Sequence, residues 1–498
     1  MKNSAGISTI AIIGDNLQAW SAATILVRQL PVSIKLIVIE DDSASIVPSI
    51  MLDSDNRFHQ LVGVSDLELL ALCDGTLSLG TDLAGWSGPE SRFFSAPSGK
   101  LPAVNGVAFH HLVLRAAMAR GEPEKLAEII SAFRFPARAA MAGKLTHGSA
   151  DPQSPRTMLR PNIHFDGKCY AGVLQEKTLS SASVEQHVGQ VLTIPRWTET
   201  GDVATIEITE GKEISADLFI DLSGALQALL PQERRSTIST LLPAMPFDRL
   251  ATSRISVDRT APFCRIDASE DHITFHQPLR NIIDQTTIGT SKHFYSSNSE
   301  TISLANRRLE QPWVANVICA GTATCTFGPY LSANPRLLQE QLTRIAELIP
   351  ATNDMRVERS EYNRLSSILT DQVRDFYWLP FKLNRRTDSI WTELQNAPVP
   401  ESLQIRLDQF RSRGRFVTFD GELFEEQEWI DLMIGLGHIP RRYDPMAGNL
   451  DMNQIAPSLG KMVDAFNQTI NAMPTHAEYL ARLLATVQNE APPEFPSL

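Results

Sequence analysis

The first forty residues constrain the fold more than any other part of this sequence. Residues 7–13 (ISTIAII) are an apolar, β-prone run that ends at Gly14, and residues 19–30 (AWSAATILVRQL) have helical spacing. Residues 34–39 (IKLIVI) are a second apolar run, closed by Glu40. A strand, a glycine turn, a helix and a second strand within about 40 residues are typical of a βαβ unit with a parallel, buried sheet. The chain is therefore predicted to open with an α/β unit.

The turn after the first strand can be compared with the GxGxxG pattern of dinucleotide sites. In that pattern the first glycine makes the turn, the second lets the backbone approach the pyrophosphate, and the third position lets helix and strand pack closely. Gly14, Asn16 and Ala19 occupy these positions, and Glu40 stands where a carboxylate would hold a ribose hydroxyl. Asn16 places a side chain in the space of the phosphates, and Asp15 adds a negative charge beside it. Two interpretations stay open: an FAD or NAD site, or a βαβ unit whose site is weakened or lost.

Charge and cysteine content exclude several classes of function. The chain has 45 Lys and Arg against 57 Asp and Glu, a formal net charge of −12, whereas nucleic-acid binding needs a basic face that displaces counterions from phosphates. The five cysteines are scattered and form no CxxC pair, so neither a disulfide framework nor a metal site is predicted. No stretch approaches the roughly 20 apolar residues that cross a bilayer, and no signal-peptide pattern is present. We therefore expect a cytoplasmic protein that binds neither nucleic acid nor membrane.

The order of patterns along the rest of the chain predicts the remaining architecture. Residues 190–221 alternate like a β-meander and end near the apolar run LFIDLSG, and residues 246–293 include several strand-like runs. Residues 313–318 are predicted as one further buried strand, broken at Gly321. From about residue 335 onwards, helical periodicity dominates. These patterns predict an α/β part first, an antiparallel sheet inserted in the middle, and helices last.

Segments in a consistent order resemble the flavin-dependent tryptophan halogenase family. The opening GDNLQAWSAA, with Trp20 after the loop, is similar to that family's GGGTAGWMAA-type phosphate loop. Further similar segments are FHQLVGVSD (58–66), HFD (164–166), DLFIDLSG (217–224), WVANVICAG (313–321), RDFYWLPFKLNRR (374–386), LFEEQEWIDLMIGLGHIPRRYDP (423–445) and MPTHAEYL (473–480). The resemblance spans nearly the whole chain.

This resemblance implies a fold, a division of the chain and a cofactor. The fold expected is a Rossmann-like, flavin monooxygenase-type FAD-binding α/β domain with an inserted antiparallel sheet and a helical C-terminal region. The FAD-type domain is expected over residues 1–350, with substrate-sheet insertions at about 80–160 and 235–310, and the helical region over residues 351–498. FAD is implied as the cofactor, and six residues are expected to contact it: Gly14, Ala19, Glu40, Asp221, Gly224 and Gly321.

The resemblance also identifies the positions that carry the family's chemistry. In that family reduced FAD and oxygen oxidise a halide to hypohalous acid, which passes through a tunnel to tryptophan, where a lysine and a glutamate direct it. The matching stretches place Ser78 at the lysine position, with Trp86 retained, and Leu331 at the glutamate position. The family's WxWxIP motif corresponds to residues 273–278 (ITFHQP), in which both tryptophans are replaced. His276 in this segment is a candidate base, because histidine titrates near neutral pH.

These replacements predict lost or altered halogenation, so tryptophan itself is not the expected substrate. In one hypothesis the protein is a divergent flavin-dependent halogenase or monooxygenase that acts, with a flavin reductase, on another aromatic small molecule. In the other it is a non-catalytic relative that binds a small molecule or a partner protein without turning over flavin. A homodimer is compatible with both hypotheses. An NAD-dependent oxidoreductase would leave the matches in the later part of the chain unexplained.

Overall fold

The structure, a computed structural model, describes residues 6–41, 49–54, 56–96, 103–295, 300–329, 333–419 and 421–489. Contacts divide the chain into two compact units that interleave along the sequence. The first unit consists of Met1–Ser65, Phe165–Leu242 and Ser303–Arg374, and the second of Asp66–His164, Pro243–Ile302 and Asp375–Leu498. The domain limits expected from the resemblance stay a prediction.

Strands and helices are numbered here in chain order over the described residues. The strands are β1 (Thr9–Gly14), β2 (Lys35–Glu40), β3 (Ile50–Asp53), β4 (Thr76–Ser78), β5 (Thr81–Ala84), β6 (Arg92–Ser95), β7 (Asn162–Phe165), β8 (Val184–Val188), β9 (Val191–Trp197), β10 (Val203–Ile208), β11 (Lys212–Ser215), β12 (Leu218–Asp221), β13 (Ile238–Ser239), β14 (Arg249–Ser256), β15 (Cys264–Ala268), β16 (His272–Pro278), β17 (Ile282–Gly289), β18 (Ile302–Ser303), β19 (Arg308–Leu309), β20 (Trp313–Val314) and β21 (Val317–Cys319). The helices are α1 (Asn16–Gln29), α2 (Arg57–Val62), α3 (Asp66–Leu72), α4 (Phe109–Ala119), α5 (Leu126–Ser131), α6 (Phe135–Met141), α7 (Gly167–Leu179), α8 (Ala225–Leu229), α9 (Ser291–Tyr295), α10 (Ala333–Glu347), α11 (Arg356–Leu383), α12 (Ser389–Asn396), α13 (Glu401–Arg413), α14 (Glu426–Gly435), α15 (Pro445–Gly448), α16 (Met452–Ala472) and α17 (His476–Asn489).

A parallel sheet forms the centre of the first unit. Within the described residues its strand order is β20-β21-β12-β1-β2-β8, and only the edge pair β20–β21 is antiparallel. The central strands β1 and β2 read TIAIIG and KLIVIE and are buried over most of their length. Strands covered on both faces favour such continuous apolar runs. Because α1 joins these two parallel strands, the predicted βαβ unit is confirmed.

The edge of this sheet differs from its prediction. Instead of one strand over 313–318, the chain forms β20 and β21 around a turn at Ala315 and Asn316. Ala315 has a φ of 51°, a conformation usually marked in a sequence by glycine or asparagine. The side-chain amide of Asn316 donates to the carbonyls of Val203 and Asp217 at 2.8 and 3.1 Å. The single-strand prediction was wrong because long-range bonds of Asn316, which leave no local pattern, hold this turn.

A larger sheet forms the centre of the second unit. Its strand order is β18-β14-β17-β16-β15-β5-β6 within the described residues. Strands β14 to β17 pair antiparallel, as do β5 and β6, whereas β5 and β15 pair parallel. Separately, β4 and β7 pair antiparallel, with Thr76 opposite His164 and Ser78 opposite Asn162. The predicted antiparallel sheet is therefore present, with one parallel pair that was not foreseen.

Helices dominate the C-terminal part of the second unit, as predicted. The buried Arg134 and Asp431 form an ion pair, and Arg406, 1% exposed, pairs with Glu422 and lies 4.4 Å from the centroid of the Trp429 ring. In the part of the chain that the structure describes, no helix has both the length and the apolar character needed to span a membrane. The mixed α/β fold class with a helical C-terminal region is confirmed.

Candidate functional site

The carboxyl ends of the central parallel strands bring most of the predicted cofactor residues together. In the sheet register Gly14 lies opposite Glu40, Ile13 lies opposite Asp221, and Asp221 lies opposite Cys319. Parallel strands of an α/β sheet bind ligands at this edge. Gly14 also lies close to Leu222, since a Cβ at position 14 would be 2.9 Å from the Cβ of Leu222. The predicted grouping therefore follows from the sheet itself.

The turn between β1 and α1 is held by its own side chains. Asp15 caps α1: its Oδ1 accepts from the backbone N–H of Gln18 at 2.9 Å, and its Oδ2 accepts from Nε2 of Gln18 at 2.7 Å. The same Nε2 donates to Oγ1 of Thr322 at 2.9 Å, and Oε1 of Gln18 accepts from the Thr322 N–H at 3.0 Å. Gln18 thus bridges the turn to the segment that contains Gly321. Gly321 has a φ of 56°, and a Cβ on it would collide with Oε1 of Gln18.

Glu40, the predicted ribose ligand, already has three amide donors. Nδ2 of Asn16 donates to its Oε2 at 3.0 Å. Its Oε1 accepts from Nε2 of Gln186 at 2.5 Å and, more distantly, from Nε2 of Gln175 at 3.5 Å. Within the described residues, the buried Oδ1 of Asn16 has no hydrogen-bond partner. The carboxylate of Glu40 and its Asn16 donor are called the Glu40–Asn16 latch below.

Asp221 is buried, and its carboxylate accepts hydrogen bonds from the residues that follow it in the chain. Its Oδ1 accepts from the N–H of Gly224 at 2.7 Å and from Oγ of Ser223 at 3.1 Å, and its Oδ2 accepts from the N–H of Gln227 at 2.8 Å. Burial raises the pKa of Asp221, although these donors act in the opposite direction. The carboxyl group therefore fixes the loop that carries Gly224, and its predicted contact with a cofactor stays a prediction.

A histidine lies buried in the segment 57–62 of the first unit. His59 is 2% exposed and packs against the rings of Phe165 and Tyr170, with centroids 5.9 and 5.4 Å away. Among the described residues neither of its ring nitrogens has a hydrogen-bond partner. Burial lowers the pKa of His59 to about 4, so the ring is neutral at physiological pH.

In the second unit, Ser78 lies in a buried cluster of neutral polar groups. Ser78, with 0% exposure, has its Oγ 2.7 Å from Nε2 of His164, and Sγ of Cys264 lies 3.7 Å from both nitrogens of that ring. Burial, with a smaller effect of His476, lowers the pKa of His164 to about 3. Burial also raises the pKa of Cys264. The cluster therefore carries no charge at neutral pH.

Trp86 and His276 are also placed in the second unit. Trp86 is buried and contacts Trp391 and Phe381 edge to face, at 5.4 and 5.6 Å between ring centroids. His276, on β16, has Nε2 2.9 Å from Oδ2 of Asp267 and Nδ1 2.9 Å from Nε2 of Gln285. An Nδ1 that accepts from an amide leaves the proton on Nε2, where it is donated to Asp267.

The surroundings of His276 are those of a partly buried histidine paired with a carboxylate. Burial alone would raise the pKa of Asp267, but hydrogen bonds from His276 and Arg265 lower it below its ordinary value. The role of His276 as a base stays a prediction. Leu331, the predicted occupant of the glutamate position, lies outside the described residues.

Sequence reasoning missed the partners that define both groups of residues. Gln18 links the β1–α1 turn to Thr322, and Gln186 donates to Glu40 of the latch. His164 pairs with Ser78, which lies 86 positions away in the sequence. The one local signal for this role of Gln18 was its position in the first turn of α1, three residues after the capping Asp15. The partners of Glu40 and Ser78 become visible only once strands are paired.

Comparison with known proteins agrees with this architecture. A family model described as tryptophan halogenase matches residues 9–452. The curated tryptophan 6-halogenase ThaL of Streptomyces albogriseolus is 20% identical over 448 residues, which cover 82% of each protein. Among solved structures, the flavin-dependent halogenase BrvH from Brevundimonas sp. BAL3 has a TM-score of 0.86 and 25% identity, over 96% of this chain and 99% of BrvH. The flavin-dependent halogenase Xcc4156 from Xanthomonas campestris also has a TM-score of 0.86, with 22% identity and the same coverage. The chain belongs to the tryptophan halogenase family of flavin-dependent halogenases.

Proposed function

We propose that this protein is a divergent flavin-dependent halogenase or monooxygenase whose substrate is an aromatic small molecule other than free tryptophan. Its family uses FAD as cofactor, an aromatic substrate and a partner flavin reductase. The proposal rests on the chemistry available at two places, the Ser78 cluster and the β1–α1 turn.

The Ser78–His164 pair carries the proposal. The resemblance puts Ser78 where the family has a lysine, which supplies a cationic amine. Serine is neutral, and His164 is neutral as well, because burial holds its pKa at about 3. A neutral hydroxyl–imidazole pair with 0% exposure of both residues supplies no cationic donor of the kind that the lysine's ammonium group provides. This supports a reaction that uses no lysine at this position.

The β1–α1 turn bears on how FAD would be held. A dinucleotide turn presents backbone N–H groups and a helix N-terminus to the diphosphate. Here the carboxylate of Asp15 caps that N-terminus. The side-chain amide of Asn16 donates to Glu40, and that of Gln18 donates to Thr322. In this arrangement the turn does not fit a diphosphate. Rotating both amides away breaks side-chain hydrogen bonds worth about 0.5–1.5 kcal/mol each, so we infer that FAD binding is weakened by this turn.

One experiment tests the proposal in two stages. Purified protein is incubated with excess FAD and desalted, and its flavin absorption and a binding titration are recorded. The protein is then assayed with a flavin reductase, NADH, chloride or bromide, and either tryptophan or a panel of indoles and phenols. We expect measurable but weak FAD binding, no product from tryptophan, and a halogenated or hydroxylated product from another aromatic compound. Halogenated tryptophan formed at rates typical of enzymes would overturn the proposal.

The self-bonded turn also favours a second candidate function, a non-catalytic family member. If the Glu40–Asn16 latch and the Gln18 bridge are permanent, no FAD binds and the fold serves to hold a small molecule or a partner protein. No saturable FAD titration and no product from any compound would support this alternative over the first.

A further inference from the structure

Two histidines and an aspartate converge at one end of the large sheet of the second unit. Asp271 lies in the turn between β15 and β16, His272 begins β16, and His293 lies in α9 just after β17. Oδ1 of Asp271 is 2.9 Å from Nδ1 of His272 and 3.2 Å from Nδ1 of His293. One potential ligand atom from each of the three residues lies within 4.8 Å of the other two. The three residues are called the His–Asp–His cluster below.

The backbone fixes the cluster independently of any ligand. His272 lies opposite Gly289 in the β16–β17 ladder, and the N–H of Thr290 approaches the carbonyl of Asp271 at 3.4 Å. At the start of α9, Ser291 donates its N–H and its hydroxyl to Asp248 at 2.9 and 2.7 Å. A site whose ligands are placed by strands and a fixed helix start is preorganised for binding.

The geometry of the cluster brings one nitrogen of each histidine ring close to the same carboxylate oxygen. The rings of His272 and His293 are stacked, with centroids 4.1 Å apart and an interplanar angle of 26°. A divalent cation between these atoms would be bound by one nitrogen of each ring and by the carboxylate. The neighbouring Glu270 and Lys292 are exposed and of opposite charge.

We propose that the His–Asp–His cluster is a binding site for a divalent transition metal, with Zn²⁺ as the expected ion. Two imidazole nitrogens and one carboxylate oxygen are the three-ligand set of open zinc sites, in which water takes the fourth position. Neighbouring ligands of a tetrahedral zinc ion are about 3.3 Å apart, close to the observed 2.9 and 3.2 Å. Imidazole suits Zn²⁺, whereas Mg²⁺ and Ca²⁺ prefer oxygen ligands. The ion would join α9 to the β15–β16 turn.

Titration of tag-free, metal-free full-length protein with Zn²⁺ tests the site, with the absorption spectrum of bound Co²⁺ as a second readout of nitrogen coordination. We expect one equivalent to bind to the wild type, and His272→Gln and His293→Gln to weaken binding about tenfold or more, since each removes one of three ligands. His187→Gln is the matched control, because His187 also pairs with a carboxylate, Glu185, at 2.7 Å. It should leave the affinity unchanged.

Circular dichroism of each variant shows whether it has folded, and an excess of Mg²⁺ should not displace Zn²⁺. Equal affinities in the wild type and in both folded cluster variants would overturn the proposal, as would the absence of a Zn²⁺ equivalent in the wild type. Because no step of this experiment uses FAD or an aromatic compound, its outcome is independent of the proposed function.

Discussion

Nδ2 of Asn16 donates to Oε2 of Glu40 at 3.0 Å, which joins the turn after β1 to the end of β2 through two side chains. In a dinucleotide site the first of these positions is open for the pyrophosphate and the second faces the ribose. The carboxylate of Glu40 therefore already accepts hydrogen bonds from three amides of the protein itself. A nucleotide ribose bound to Glu40 would compete with these amides for the same carboxylate.

Removing the latch should strengthen FAD binding. The double substitution Asp15→Gly with Asn16→Gly takes away the competing carboxylate and the Asn16 donor, and restores a glycine at the second position of the pattern. We expect the Kd for FAD to fall by about tenfold or more, which corresponds to about 1.4 kcal/mol. Asn105→Gly is a suitable control, since Asn105 is exposed and has a φ of 51°. An unchanged Kd in the double variant would show that the latch does not limit binding.

Ser78→Ala should destabilise the protein without any change in charge. The substitution removes the 2.7 Å partner of Nε2 in His164, which is fully buried. An unsatisfied buried polar group costs about 1–3 kcal/mol, and we expect a loss of this size in urea unfolding. The exposed Ser458→Ala serves as reference. A loss no larger than that of the reference would mean that this hydrogen bond contributes nothing to stability.

Asp221→Asn should weaken the loop that carries Gly224. An amide keeps the shape of the side chain but turns one acceptor into a donor, which then faces a backbone N–H of Gly224 or Gln227. We expect a loss of about 1–3 kcal/mol in the free energy of unfolding. Asp464→Asn, at an exposed position of α16, is the control. Wild-type stability of Asp221→Asn would contradict the capping role.

His59 should make stability depend on pH. Its pKa is about 4 in the folded protein because of burial, against about 6.5 in the unfolded chain. The unfolded state therefore takes up the proton first, so the contribution of neutral His59 is complete above about pH 6.5 and is lost as pH falls towards about 4. Between about pH 7 and about pH 5 this amounts to about 2 kcal/mol.

The substitution His59→Leu tests this dependence. It should flatten the pH profile of the free energy of unfolding by that amount, measured with urea at both pH values. The exposed His147→Gln should not change the profile. Identical profiles for the wild type and His59→Leu would show that this ring is not the source of the pH dependence of stability.

The opening βαβ unit was predictable because its signals are local: β1 and β2 are continuous apolar runs, and Gly14 stands between strand and helix. Parallel pairing then places Glu40 and Asp221 at one edge, which is why the outline of the site could also be predicted. The turn at Ala315 was not predictable, because side-chain bonds to distant backbone hold it.

The partners of the predicted residues could not be found from the sequence. His164 reaches Ser78 only through the β4–β7 ladder, and His293 reaches Asp271 only after β16 and β17 fold back on each other. Pattern analysis finds residue types with fixed local spacing, such as CxxC pairs, and therefore predicted no metal site. Groups assembled by strand pairing lack that spacing.

The backbone conformation of Gly321 bears on how such a protein can change over evolutionary time. Gly321 has a φ of 56°, a conformation that strains any residue with a Cβ, so the glycine is maintained by the backbone whether or not a nucleotide is bound. Selection for stability alone would then preserve this part of the motif in a lineage that had stopped using flavin. Motif glycines in distant family members are for that reason a record of ancestry, and catalytic competence has to be judged from the side chains around them.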